Sequence, residues 1–271
     1  MRILTVLELL TDRAASAVGE GLVQGRASRH KQPMSNPDFS APKPFGPLRS
    51  FGRVRGRALS DRQEHLFETL FPSVSIPAEP AETLDPLQWM PTAEAVIFEI
   101  GFGGGEHLIG QAERHPNHLF LGAEPFQEGV AKALVGIEDR GLTNVRLLAS
   151  DARPVLKALK PASLDKLVIL FPDPWHKAKH NKRRLIQPSF LDDAHRALKP
   201  GGELRFATDW ANYAAWTLEK ITQHGGFEWL AEAASDWRTP PEDHITTRYE
   251  TKRLGDCAPI FLRFNARQQA T

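Results

Sequence analysis

Cysteine is nearly missing from this sequence: Cys257 stands alone among 271 residues. One thiol cannot close an intrachain disulfide, and it excludes a multi-cysteine zinc site. A reducing, cytoplasmic setting fits that scarcity. Missing too is an excess of charge, since 34 lysines and arginines face 33 aspartates and glutamates for a net charge of +1. That excludes a polycation gripping nucleic acid through its global field; any such binding has to come from local patches. No apolar run reaches the roughly 20 residues that a membrane span requires. The opening MRILTVLELLTDRAA carries only a short apolar patch, broken by Glu8, and has no clear small-residue cleavage site. It does not read as a signal peptide, and it is too acidic for a typical transit peptide.

What remains is an ordinary globular composition, 41% hydrophobic and 25% charged, with enough apolar mass for a sizeable core. Residues 1–45 show little periodicity and end in the proline- and serine-rich PMSNPDFSAPKPFGPLRS, so a disordered or flexible extension is expected there. Met34 offers a second start within it. Just beyond, Arg53, Arg55 and Arg57 alternate; in an extended segment they project to one side and can grip phosphates, or they form a solubilising tail. Residues 46–271 read as one α/β domain. VIFEIGF, HLFLGAE, VRLLASD, LDKLVILFPD and GELRFATD are strand-like runs. EHLIGQAERH, FQEGVAKALVGIEDR, PVLKALK, SFLDDAHRALK and WANYAAWTLEKITQHG lie between and after them with helical patterns. Strands alternating with helices of this length imply a mostly parallel sheet with helices on both faces. FEWLAE and PIFLRFN add two more strands, for seven. The long gap between those two predicts a functional loop.

In such sheets ligands sit beyond the carboxyl ends of the strands. The first strand ends in Glu99-Ile100-Gly101-Phe102-Gly103-Gly104-Gly105. A G-x-G-x-x-G dinucleotide fingerprint fails in either register, its third glycine falling on Glu106 or Leu108, which rejects a nicotinamide dehydrogenase. The pattern present, E-x-G-x-G-x-G, suits a ligand without phosphate but with a positive centre, such as S-adenosylmethionine. Gly101, Gly103 and Gly105 let backbone approach it, and Glu99 meets its cationic end. Glu124, ending the second strand, is placed for ribose hydroxyls, and Asp151, ending the third, for the adenine amine. The alternative is a plain tight turn with acids that cap helices. Three acids on the same sheet edge favour the cofactor and hence a Rossmann-like, S-adenosylmethionine-dependent methyltransferase fold.

The fourth strand ends in FPDPWHKAKHNKRR. Asp173 sits there between two prolines that restrict the backbone beside the methyl donor. Trp175 offers a stacking face, and five full charges follow within Lys177–Arg184. Such a run is a solvated surface or, at a catalytic edge, a phosphate grip. His176 and His180 have metal-like i,i+4 spacing but no third ligand, so no metal is expected.

FEIGFGGGE, LGAEP, FPDPWHKAKHNKRR, TDW (Thr208–Trp210) and TTRYETK together resemble the bacterial-type tRNA (guanine-N7-)-methyltransferase family over roughly residues 50–265. The resemblance implies methyl transfer from S-adenosylmethionine to N7 of the guanosine at tRNA position 46, in the variable loop. It implies cofactor contacts from Glu99, Glu124 and Asp151, with Asp173 catalytic and also counted among the cofactor-binding residues. It implies substrate contacts from Lys177, Asp209, Thr247, Arg248, Tyr249 and Glu250. It places Lys179, His180, Asn181, Lys182, Arg183 and Arg184 against the RNA. Asp209 also reads as an N-cap for the helix after it, and the Thr247–Glu250 segment as a polar crossover. Competing functions are methylation of another RNA or of a small molecule, and a non-catalytic RNA-binding module. The last would not need the set Glu99, Gly101, Gly103, Gly105 and Asp173. The resemblance makes tRNA the expected partner; no heptad or apolar stripe marks an interface, and the chain is read as a monomer or homodimer with no obligate protein partner.

Overall fold

The computed structural model describes residues 58–80 and 82–268. The expectations for residues 1–45 and for Arg53, Arg55 and Arg57 lie outside those residues. The sheet has seven strands: β1 (Ala95–Ile100), β2 (His118–Ala123), β3 (Val145–Leu148), β4 (Leu164–Leu170), β5 (Leu198–Thr208), β6 (Phe227–Trp229) and β7 (Ile260–Ala266). Their spatial order is β3-β2-β1-β4-β5-β7-β6. β1, β2, β3, β4 and β5 pair in parallel, whereas β7 runs antiparallel to both β5 and β6. The seven-stranded, mostly parallel sheet therefore stands as read.

Alternation along β1 shows how the strands divide the core. Val96, Phe98 and Ile100 enter one apolar layer with Val155, Phe190, Leu191, Tyr213 and Leu218. Ile97 enters the other with Ile109, Val130, Leu134 and Ile137. A period of two delivers successive residues to opposite faces, so each layer gets its own helices. The first layer is covered by α5 (Ala152–Ala158), α6 (Pro188–Ala197) and α7 (Ala211–His224). The second is covered by α1 (Asp61–Thr69), α3 (Glu106–Arg114) and α4 (Gln127–Arg140), with the single turn α2 (Phe71–Val74) following α1.

Helix α1 escaped the sequence reading. It starts in a capping box, Ser60 with Gln63, and docks on α4 through Leu66 and through Arg62, which pairs with Glu138 at 2.6 Å and with Asp139. The long connection between β6 and β7 is partly ordered as two short helices, α8 (Ser235–Arg238) and α9 (Arg248–Lys252). It crosses the α3 face of the sheet as a strap, with Asp243 held by Arg205 at 2.8 Å and by Lys166 at 3.2 Å. The sheet order reverses between β1 and β4, and the crevice that this opens at the carboxyl ends is where ligands of such sheets bind.

Candidate active site at the carboxyl edge of the sheet

Parallel register sets the strand ends side by side: Glu99 of β1 lies opposite Gly122 of β2 and Val168 of β4. Glycines then turn the chain from β1 into α3. Gly101 and Gly103 have φ of 75° and 56°, and a Cβ at either would meet nothing within 4 Å. The turn is thus both left-handed, which only glycine tolerates well, and open on the crevice side. Gly105, also left-handed, forms the N-cap of α3.

Glu124 is buried and holds this turn. One carboxylate oxygen accepts from the Gly103 amide at 2.9 Å and the other from the Phe126 amide at 2.8 Å. Each oxygen keeps a second lone pair. Burial pushes its carboxyl above the usual range against those two donors, and the fields of Asp173 and Glu99 add to the rise. Glu99 is 2% exposed and bonded to Nδ1 of His107 at 2.7 Å. Among the described residues no lysine or arginine pairs with Glu99, Glu124 or Asp173. Three carboxylates from adjacent strand ends thus share one crevice without a fixed cation, an arrangement that a cationic ligand relieves. Asp151 is placed at the third strand end, but it caps α5 through the Arg153 amide and pairs with the Arg153 side chain at 2.5 Å.

Beyond β4 the backbone is strained. Phe171 and Trp175 have φ of 51° and 42°, and between them Asp173 is exposed, near enough to Glu124 for its charge to act there. Non-glycine residues held left-handed store strain of about 1–3 kcal/mol each. No described residue hydrogen-bonds the Asp173 carboxylate, and the protein around the crevice desolvates it enough to raise its pKa. Trp175 lies under Arg183 at 4.9 Å and edge-on to His180. His176 stacks on Trp210 with ring centroids 5.4 Å apart.

The basic run coils into a 3₁₀ turn over Ala178–Arg183. Lys177, Lys179 and Lys182 are exposed, and His180, Asn181 and Arg183 half-buried. Arg184 corrects the sequence reading. It is 2% exposed, donates to the Pro174 carbonyl at 2.9 Å and to Asn212 at 2.6 Å, and lies over the rings of Tyr213 and Trp216. It braces the Asp173 loop from behind and has no free face for RNA.

Asp209 does not cap α7; that role falls to Asp256, which accepts from the Ala211 amide at 2.8 Å. Asp209 is 4% exposed and accepts from the Gly255 amide through Oδ2, while Oδ1 is buried without a partner from another residue. Burial raises its carboxyl pKa, and Asp256 and Glu250 add to that. In the strap, Thr247 and Glu250 form a capping box for α9, and both Glu250 oxygens also face His244 Nε2 at 2.9 and 3.0 Å. Glu250, expected at the substrate, is therefore committed inside the strap. Of that segment Arg248 is exposed, and Tyr249 lies against Phe171 at 5.6 Å.

The sequence reading missed His107, Gln111, Asp243 and Gly129. The first two had a signal: polar residues four apart on the buried side of α3, next to Leu108 and Ala112. Asp243 and Gly129 had none.

Three comparisons bear on the chain as a whole. The family described as "Putative methyltransferase" matches residues 93–261. A tRNA (guanine-N(7)-)-methyltransferase of Caulobacter vibrioides is 54% identical over 82% of this chain and 96% of its own length. One from Hyphomonas neptunium is 50% identical over 81% of the chain and its full length, and one from Rhodospirillum rubrum 43% over 84% and 91%. Among solved structures, a 16S rRNA (adenine(1408)-N(1))-methyltransferase from Catenulisporales acidiphilia superposes with a TM-score of 0.50 at 19% identity, covering 72% of this chain and 99% of that one. At that identity the likeness speaks for the fold alone.

Proposed function

This chain belongs to the tRNA (guanine-N7-)-methyltransferase family, and on that premise we propose the roles its residues take at the sheet edge. The reaction is S-adenosylmethionine-dependent methylation of N7 of a guanine in tRNA. The guanosine at position 46, in the variable loop, is our reading of the target.

The three neighbouring carboxylates without a fixed cation, beside an open glycine turn, support the assignment of the donor site. S-adenosylmethionine supplies, when bound, an electrophilic methyl carbon. Glu99 faces its cationic end, Glu124 uses its spare lone pairs for the ribose, and Gly101 and Gly103 leave room for the ligand. Asp151, whose two oxygens both accept from Arg153, reaches the adenine amine by exchanging one of those bonds.

Guanine N7 has a free lone pair, so no group has to remove a proton before attack. Alignment of N7 with the methyl carbon is what the chain contributes, and orientation of that kind lowers barriers strongly. Asp173, unbonded and on a strained loop, orients the guanine edge and stabilises the positive charge that spreads over the purine. Lys177, Lys179, Lys182 and Arg248 hold phosphates, and Tyr249 packs beside the base. Asp209 anchors the strap and keeps Oδ1 as an acceptor. A soluble, cytoplasmic enzyme fits these features; no helix among the described residues is long and apolar enough to cross a membrane.

The test is methyl transfer from labelled S-adenosylmethionine to unmodified tRNA transcripts, with wild type and Asp173→Ala in parallel. Chain scission at N7-methylguanosine maps the product. Scission in the variable loop, absent with the variant, supports the reading; label at another nucleotide overturns the target.

A further inference from the structure

Between the crevice and the strap runs a buried chain of side chains that the reaction scheme above does not use. Its direction can be read atom by atom. The backbone carbonyl of Asp243 only accepts hydrogen bonds, so the Gln111 atom 2.5 Å from it is the amide nitrogen. That nitrogen also lies 3.3 Å from Nε2 of His107, and its second hydrogen points the imidazole Nε2 to act as acceptor. His107 then carries its proton on Nδ1 and donates it to Glu99 at 2.7 Å. Glu99, His107 and Gln111 are all at most 5% exposed, so water does not compete for these bonds. The far end is rigid as well, because Asp243 is clamped by Arg205 and Lys166.

We propose that His107 and Gln111 are positioning residues for the methyl donor: the strap, through the Asp243 carbonyl, fixes the His107 tautomer and with it the orientation of the Glu99 carboxylate. The strap that carries Arg248 and Tyr249 toward the RNA is thereby mechanically joined to the group that holds the cationic end of the cofactor. The proposal rests on the reading of Glu99 as that group. A carboxylate left to rotate in a buried site loses the direction of its lone pairs, and the amino-acid end of the cofactor is what feels it.

Asparagine at 107 places an amide N–H near the position of Nδ1, and glutamine places it near Nε2. The two variants are equally polar, and only the first restores a donor to Glu99. Calorimetric Kd values for S-adenosylmethionine and for 5′-methylthioadenosine, which lacks the amino-acid end, separate the cases. His107→Gln and Gln111→Leu are expected to weaken S-adenosylmethionine about tenfold and methylthioadenosine less than twofold, with kcat at saturating cofactor within threefold of wild type. His107→Asn is expected to stay within threefold of wild type for both ligands. Equal losses in His107→Asn and His107→Gln, or equal losses for both ligands, overturn the proposal. A wild type that binds methylthioadenosine but gains nothing from the amino-acid end instead refutes the role of Glu99, and the proposal with it.

Discussion

The Gly255 amide donates to Asp209 Oδ2 at 2.8 Å, and a Cβ on Gly255 would collide with the Asp209 carbonyl oxygen and side chain. The strap and the end of β5 therefore meet with no room for a methyl group. Gly255→Ala meets no backbone penalty, since its φ lies outside the left-handed region. Only the contact suffers. Its tRNA KM is expected to rise about tenfold while the S-adenosylmethionine Kd stays within twofold; an unchanged tRNA KM would remove the strap from the substrate site.

Asp173→Asn keeps shape and removes charge. Loss of one preorganised electrostatic contact costs about 10²–10³ in kcat, so a fall of at least about 100-fold is expected, far larger than the loss of cofactor affinity. Because desolvation raises the Asp173 pKa, wild-type activity should fall with acid at a pH above the ordinary aspartate range. That acid limb should be missing from the residual activity of the variant. A pH profile of single-turnover rates for both proteins reads it out.

Arg184 and Lys179 are close in sequence and opposite in consequence. Arg184→Ala strips two hydrogen bonds and two ring contacts from a buried site, leaving the Asp173 loop unbraced. A loss of about 3 kcal/mol is expected, which lowers Tm by roughly 6–12 °C in a domain of this size. Lys179→Ala should leave Tm unchanged and reduce the salt slope of tRNA binding by just under about 1, the value of one phosphate contact. Melting curves and a salt titration of tRNA Kd distinguish the two; the same phenotype for both would contradict the structure.

Acid should loosen the strap's footing on the sheet. Burial alone would raise the Glu203 carboxyl, but hydrogen bonds from Arg263 and Arg205 and the fields of Arg205 and Lys166 hold it down at about 2. A depressed carboxylate stabilises the fold above its unfolded pKa of about 4.3 and stops doing so as pH falls through its folded value. Glu203→Gln should therefore melt lower than wild type at pH 7, and the gap should narrow between about pH 4.5 and 2. A constant gap across a melting series at stepped pH would show that the loss is one of packing.

The Gly129 Cα faces the glycine turn so closely that a Cβ would collide with the Gly103 carbonyl oxygen. Gly129→Ala is expected to weaken S-adenosylmethionine at least tenfold by pushing the turn toward the crevice. Cofactor calorimetry checks it, and an unaltered Kd would mean that the turn yields without consequence.

The repeating strands and helices were legible because their signals are local. Alternation of two and a period near 3.6 lie within a dozen residues, and α3, α4 and α7 begin and end within one or two residues of the runs EHLIGQAERH, FQEGVAKALVGIEDR and WANYAAWTLEKITQHG. The acids at strand ends were legible for the same reason, since parallel strands bring their ends to one edge. Helix α1 carries an equally local signal in its capping box, Ser60 with Gln63.

By itself, then, the sequence determined the sheet, its carboxyl edge, and the glycines, acids and basic run that stand there. Only the tertiary structure decided which of those side chains face the crevice. Arg184 reads as one more cation in a run, yet it turns inward because Tyr213 and Trp216, about 30 residues on, provide the rings that shelter it. Gln111 finds the carbonyl of Asp243 across 132 residues, and through it the orientation of Glu99 is set. Contacts at that separation depend on how the strap crosses the sheet, and no local period or spacing encodes them.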